Sequence, residues 1–116
     1  MKFKGIIALV DDDLTERVID TARKAGATGC TVISSARGEG LEPAKTFFGL
    51  NLESQRDFVL FIVEQHLSRH ILERIADVGG FDKNVGAGVA FQFDVEDVVG
   101  LASQMDTIEH EIEDQI

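Results

Sequence analysis

The segment Arg56-Asp57-Phe58-Val59-Leu60-Phe61-Ile62-Val63-Glu64 decides how the rest of the chain must be arranged. Six consecutive apolar residues between charged ends are too short for an ordinary amphipathic helix and rich in β-branched and aromatic types. They predict a strand covered on both faces. Downstream, Leu67, Ile71, Ile75 and Val78 recur at three and four residues, predicting a helix over 66–78 that stops near Gly79-Gly80. Val89, Phe91, Phe93 and Val95 then alternate with smaller or polar residues, as a strand requires.

Upstream, residues 37–55 lack periodicity and hold Gly38, Gly40, Pro43, Gly49 and Asn51, which predicts a long loop. Residues 30–36 are rich in β-branched types and form a strand before it. Residues 3–10 read as the first strand. Asp11-Asp12-Asp13 offers an N-cap and negative charge to a helix carrying Leu14, Val18, Ala22 and Ala25 on one side, with Gly26 at its end. The order is β-α-β-β-α-β. It predicts an α+β domain of ferredoxin-like type, a four-stranded antiparallel sheet with both helices on one face. The opposite face then has no cover within the chain, and another subunit is the natural one.

Composition narrows the function classes. The chain has 116 residues, 44% of them hydrophobic, enough for one domain with a real core. Its formal net charge of -10 disfavours nucleic acid and anionic membranes. No apolar run approaches a membrane span and no cleavable leader is evident, so a cytoplasmic location is expected. The single cysteine, Cys30, is expected to pack as a small hydrophobe.

Catalytic constellations are weak. His66 and His70 stand four apart on a helix without assignable third and fourth metal ligands, and Glu109-His110-Glu111 has the same shortcoming. Ser34 and Ser35 have no identifiable base. An enzyme is not expected. Two glycine-bearing segments, Gly29–Gly40 and Gly86–Val95, match no phosphate-binding fingerprint, although Arg37 and Lys45 beside the first could pair with an anion. Residues 104–116 are mostly acidic, with Met105, Ile108 and Ile112 at helical spacing. That tail could dock as a short helix, but a solvated tail is favoured.

Gly29-Cys30-Thr31-Val32 followed by Arg37-Gly38-Glu39-Gly40 resembles the second strand and T-loop base of the PII nitrogen-regulatory proteins. Gly86-Ala87-Gly88 running into Ala90-Phe91-Gln92-Phe93-Asp94-Val95 is similar to their B-loop end. The similarity spans residues 1 to about 101. It implies a domain over 1–103 with the T-loop at about 37–55, the B-loop at about 79–88, and the tail at 104–116. It further implies a homotrimer with effector clefts between subunits. Gly29, Thr31, Arg37, Gly38 and Gly40 would line one side of a cleft, and Gly86 and Gly88 the other. Lys45, Phe47 and Phe48 in the T-loop would meet a target protein such as a membrane transporter.

Departures from the family pattern bear on the ligand. Val89 stands where a B-loop lysine contacts phosphate, Gly100 and Ala102 stand where two phosphate-binding arginines follow the last strand, and Leu41-Glu42 replaces a basic-Gln pair. Each lost cation removes a contact worth about 1.5–3 kcal/mol. The expected effector is AMP, ADP, a cyclic nucleotide or a small anion rather than ATP. Without any tyrosine, regulation by tyrosine uridylylation is excluded. The chain resembles divergent PII-like regulators such as those of bicarbonate transport. A trimeric divalent-metal-binding protein of the same fold and an effector-free structural oligomer are the alternatives.

Overall fold

A computed structural model of the chain describes residues 2–36, 56–83 and 87–100. The elements are β1 (Phe3–Asp11), α1 (Thr15–Lys24), β2 (Thr31–Ala36), β3 (Arg56–Glu64), α2 (Gln65–Gly79) and β4 (Gly88–Val95). They form one antiparallel sheet of order β2-β3-β1-β4, with the longest ladders joining β1 to β3 and to β4. Burial alternates along the central strands. Ile6, Ala8 and Val10 of β1 and Val59, Phe61 and Val63 of β3 are buried with Val18, Ile19 and Ala22 of α1 and Ile71 and Ile75 of α2. Both helices therefore cover one face, as the element order predicts.

Side chains of the opposite parity tell the other half. Phe58, Leu60 and Ile62 of β3 and Ile7 and Leu9 of β1 are only half-buried, although no charge interrupts them. Ile33, Phe91 and Phe93 are 55%, 42% and 39% exposed. The strand read as covered on both faces is thus covered on one within a single chain. Gly5 makes the apolar face continuous at its centre: a Cβ there would lie 2.3 Å from Cζ of Phe93, whose ring occupies that space.

The helix ends follow local chemistry. Glu64 caps α2, its carboxylate accepting from the His66 backbone N–H at 2.6 Å, and Gly80 ends the helix in the left-handed conformation. At α1 the expected cap does not form. Leu14 is the N-cap and no side chain bonds to the first turn, because β1 runs on through Asp11, whose carbonyl accepts from Leu14 N at 2.9 Å. The acidic run makes a turn rather than a cap.

Cys30 corrects a second expectation, being exposed. It precedes β2, the edge strand, whose residues from Thr31 to Ser35 are all exposed, so β-branched neighbours do not bury it. β2 also carries one extra residue against β3 between Ile33 and Ala36, and Ser35 takes φ 61° there. A left-handed non-glycine residue costs about 1–2 kcal/mol. Ser35→Gly is expected to raise stability by roughly 0.5–1 kcal/mol after glycine's own chain-entropy cost. An unchanged or lower urea midpoint would show that Ser35 is not strained.

Across β1 and β4, Lys4 Nζ lies 2.9 Å from Asp94 Oδ1. The hydrogen bond from Lys4, then its charge, holds the Asp94 carboxyl below its ordinary value of 3.8. A lowered folded-state pKa stabilises above the unfolded value and loses that contribution as pH falls through the folded one. The parent chain should therefore exceed Asp94→Asn slightly in stability at neutral pH, with the gap closing at pH below about 4. Paired melting curves at the two pH values check this; a gap that persists in acid contradicts it.

Candidate intersubunit effector site

Both roots of segment 37–55 emerge at one end of the sheet. Ala36, the last residue of β2, pairs with Arg56, the first of β3, and Arg56 pairs in turn with Asp11 at the end of β1. Gly88, opening β4, pairs with Val10 at the same end. Arg56 is 4% exposed, and its Nη1 lies 3.0 Å from Asp11 Oδ1. That contact lacks hydrogen-bond geometry, and among the described residues neither Nε nor Nη1 finds a hydrogen-bond partner. A guanidinium has five donors and no acceptor, so a buried one with idle donors is set up to meet an anion.

The next residue is tied down firmly. Thr15 Oγ1 donates to Asp57 Oδ2 at 2.6 Å, with both residues buried, joining the first turn of α1 to β3. The backbone that presents Arg56 is thereby fixed from the helix side. Sequence patterning missed Arg56. The available signal was a charged pair, Arg56-Asp57, at the start of an apolar strand directly after a long loop.

The two glycine segments prove unlike. An added Cβ at Gly88 would sit 2.8 Å from the Leu9 carbonyl oxygen and against the Phe81 ring, so glycine is required by the chain itself. At Gly29 nothing lies within 4 Å, so the chain alone makes no such demand. Gly88→Ala is expected to cost about 1–3 kcal/mol and Gly29→Ala no more than about 0.5, compared by urea midpoints. Equal costs would contradict the difference. Beside Gly29, Cys30, Ile19, Arg23, Ala27 and Phe61 line a cavity of about 20 Å³, room for roughly one water.

Thr31 opens β2 at one sheet edge, with Gly29 two residues before it, and Gly88 opens β4 at the other edge. Three strand spacings separate them, roughly 14 Å, so the two groups do not meet within one chain. Arg37, Gly38, Gly40, Lys45, Phe47, Phe48 and Gly86 lie outside the described residues, as do Ala102 and the tail. Val89 and Gly100 lie within them and supply no cation; a Cβ at Gly100 would meet open space. Among the described residues no three of His, Cys, Asp and Glu cluster for a metal. His66 Nδ1 instead contacts the Glu64 carboxylate, and His110 falls outside the described residues.

Solved structures with the same fold include CPII of Thiomonas intermedia K12 bound to ADP, AMP and acetate, with TM-score 0.65 and 20% identity over 81% of this chain and 86% of that one. CPII bound to ADP and bicarbonate matches with TM-score 0.61 and 20% identity over 82% and 87%. A PII-like signalling protein of Thermus thermophilus matches with TM-score 0.60 and 23% identity over 82% and 87%. No curated protein matches in sequence. The family model for nitrogen regulatory protein P-II matches residues 3–104, nearly the whole of the domain assembled above, and the chain belongs to that family.

Proposed function

We propose that the chain is a non-catalytic signalling subunit that works as a homotrimer, holds a small effector between subunits and reports its presence through segment 37–55. The observation that carries this is the separation of the two glycine segments onto opposite sheet edges. A cleft lined by both needs two chains. The apolar sheet face with Ile33, Phe91 and Phe93 provides the surface on which those chains would meet.

Within the cleft, Gly29, Thr31, Arg37, Gly38 and Gly40 of one subunit face Gly86 and Gly88 of the next. Val89 and Gly100 deprive the site of charge for a triphosphate tail. Arg56 leaves charge for one small anion at the loop roots. The ligand set is therefore ADP or AMP together with a carboxylate-sized anion such as bicarbonate, in keeping with the ligands of the Thiomonas protein. Anion capture at Arg56 biases the two roots of the 37–55 segment, which shifts the population of its states. Lys45, Phe47 and Phe48 then contact a target protein, a membrane transporter being the kind that fits a cytoplasmic regulator. No described helix is long and apolar enough to cross a membrane.

Calorimetric titration of the intact chain with ATP, ADP, AMP and cyclic AMP, each with and without bicarbonate or acetate, tests this. ADP or AMP should bind more tightly than ATP, and the anion should strengthen it. Absence of binding at millimolar nucleotide, or preference for ATP, overturns the effector assignment.

A further inference from the structure

A carboxylate stands beside the very donors that an anion at Arg56 must use. Asp11 pairs with Arg56 across the β1–β3 ladder, and its Oδ1 lies 3.0 Å from Nη1 without the geometry of a hydrogen bond. The main chain of Asp11 is held twice, by that ladder and by its carbonyl, which accepts from Leu14 N at 2.9 Å. Its carboxylate therefore stays near the guanidinium. The next acidic residues in the turn, Asp12 and Asp13, are exposed, and the Asp57 carboxylate is committed to Thr15 Oγ1. Among the described residues, Asp11 is the acidic group that an anion at Arg56 meets.

The two side chains make different demands on a ligand. Arg56 presents only donors, those on Nε and Nη1 being idle among the described residues, and so takes acceptor oxygens. An ionised carboxylate presents only acceptors. A ligand oxygen accepting from Nη1 at about 2.9 Å lies within about 6 Å of Asp11 Oδ1, because both sit about 3 Å from one nitrogen. Beside a buried guanidinium, two negative charges that close repel each other. A ligand that keeps a hydroxyl turns the same approach into a hydrogen bond, donating to Asp11 while its charged oxygens accept from Arg56. Acetate and nitrate carry no such proton, whereas bicarbonate and hydrogen phosphate each carry one. We infer that Asp11 is the specificity-determining residue of the Arg56 site and selects a small oxyanion bearing a hydroxyl over simple carboxylates and nitrate. The inference rests on the anion site proposed above and adds the donor that its ligand must have.

Calorimetric titration of the intact chain with bicarbonate, phosphate, acetate and nitrate tests it, at one mildly alkaline pH and constant ionic strength, each anion alone and with ADP present. The parent is expected to bind bicarbonate or phosphate about 10-fold or more tightly than acetate and nitrate. Whichever of the first two binds more tightly identifies the ligand's source. Asp11→Asn has the same shape without the charge, and its amide donates as well as accepts, so acetate and nitrate should gain about 10-fold while the hydroxyl-bearing anions change by less than about 3-fold. The preference then collapses. A parent that binds acetate or nitrate as tightly as bicarbonate and phosphate overturns the proposal without any variant. So does an Asp11→Asn chain that binds all four anions more tightly by one common factor, which would make Asp11 a plain counter-charge. In both cases the anion site at Arg56 stands. If no anion binds either chain at millimolar concentration, the anion site itself falls, and the role of Asp11 falls with it.

Discussion

A Phe91→Asp, Phe93→Asp double variant is expected to sediment as a monomer at concentrations where the proposed trimer of the parent chain is expected to stay assembled. Both rings stand on the face that α1 and α2 leave open, next to Ile7 and Gly5 of β1 through the β1–β4 register. They are 42% and 39% exposed, so each still has apolar surface to bury. Full burial of a phenylalanine is worth about 1.5–3 kcal/mol, and an aspartate there would be desolvated without a partner. The two replacements in each subunit together exceed what a moderate interface can absorb.

The variant should nevertheless fold, because neither ring belongs to the buried cluster of Ile6, Val59, Phe61, Ile71 and Ile75. Far-ultraviolet circular dichroism distinguishes dissociation from unfolding. A folded trimer carrying both aspartates would mean that the sheet face is not the assembly surface, and the cleft between opposite edges would lose its physical basis. Loss of nucleotide binding should accompany dissociation, since neither sheet edge holds both glycine segments.

The sequence is most readable where one periodicity acts alone. The run Phe58–Val63, the α2 stripe of Leu67, Ile71, Ile75 and Val78, and the alternation of β4 place three elements within a residue or two of their observed bounds. Where two local signals compete, pattern reasoning chooses wrongly. Asp11-Asp12-Asp13 has the composition of a helix cap, yet Asp11 is already committed to the β1 ladder opposite Arg56, and tertiary pairing overrides the local preference. Cys30 has β-branched neighbours, but that the strand it leads into lies at the sheet edge depends on sheet order, which no local window contains.

The candidate site is less readable still. Its glycines could be recognised from their spacing, whereas the different reasons for Gly29 and Gly88 depend on what lies across from each. The Leu9 carbonyl that makes Gly88 necessary is remote in the chain and adjacent only through the β1–β4 register. Arginine is rarely buried, so local sequence gives no reason to place Arg56 in the interior. Burial of its guanidinium arises from the meeting of β3 with β1 and with the bulged end of β2, a coincidence of three strands.

That burial separates stability from binding at one residue. Arg56→Met should leave the melting temperature unchanged or raise it, while weakening anion binding by about 10- to 150-fold. The stability half follows from desolvation: Nε and Nη1 are buried without hydrogen-bond partners among the described residues, and Asp11 gives ion-pair proximity without a directed bond. Replacing a buried, incompletely paired charge by an apolar side chain of similar length is often neutral or favourable. Asp11, freed of its partner, is not stranded, because its side chain is 36% exposed and water can solvate it.

The binding half follows from the same idle donors. A charge-assisted bond to an anion is worth about 1.5–3 kcal/mol, and methionine offers nothing in its place. Thr15 and Asp57 provide the contrast. Thr15→Val removes the donor at 2.6 Å and leaves a buried carboxylate without it, so stability should fall by about 1–3 kcal/mol. Anion affinity in the folded Thr15→Val fraction should change far less than in Arg56→Met. If Arg56→Met instead melts well below the parent and binds bicarbonate or acetate as tightly, the guanidinium is a structural clamp between β1 and β3 and not the anion's partner. A residue kept at a cost to the fold and needed for the ligand is what a regulatory site should contain, since selection for stability alone would remove it.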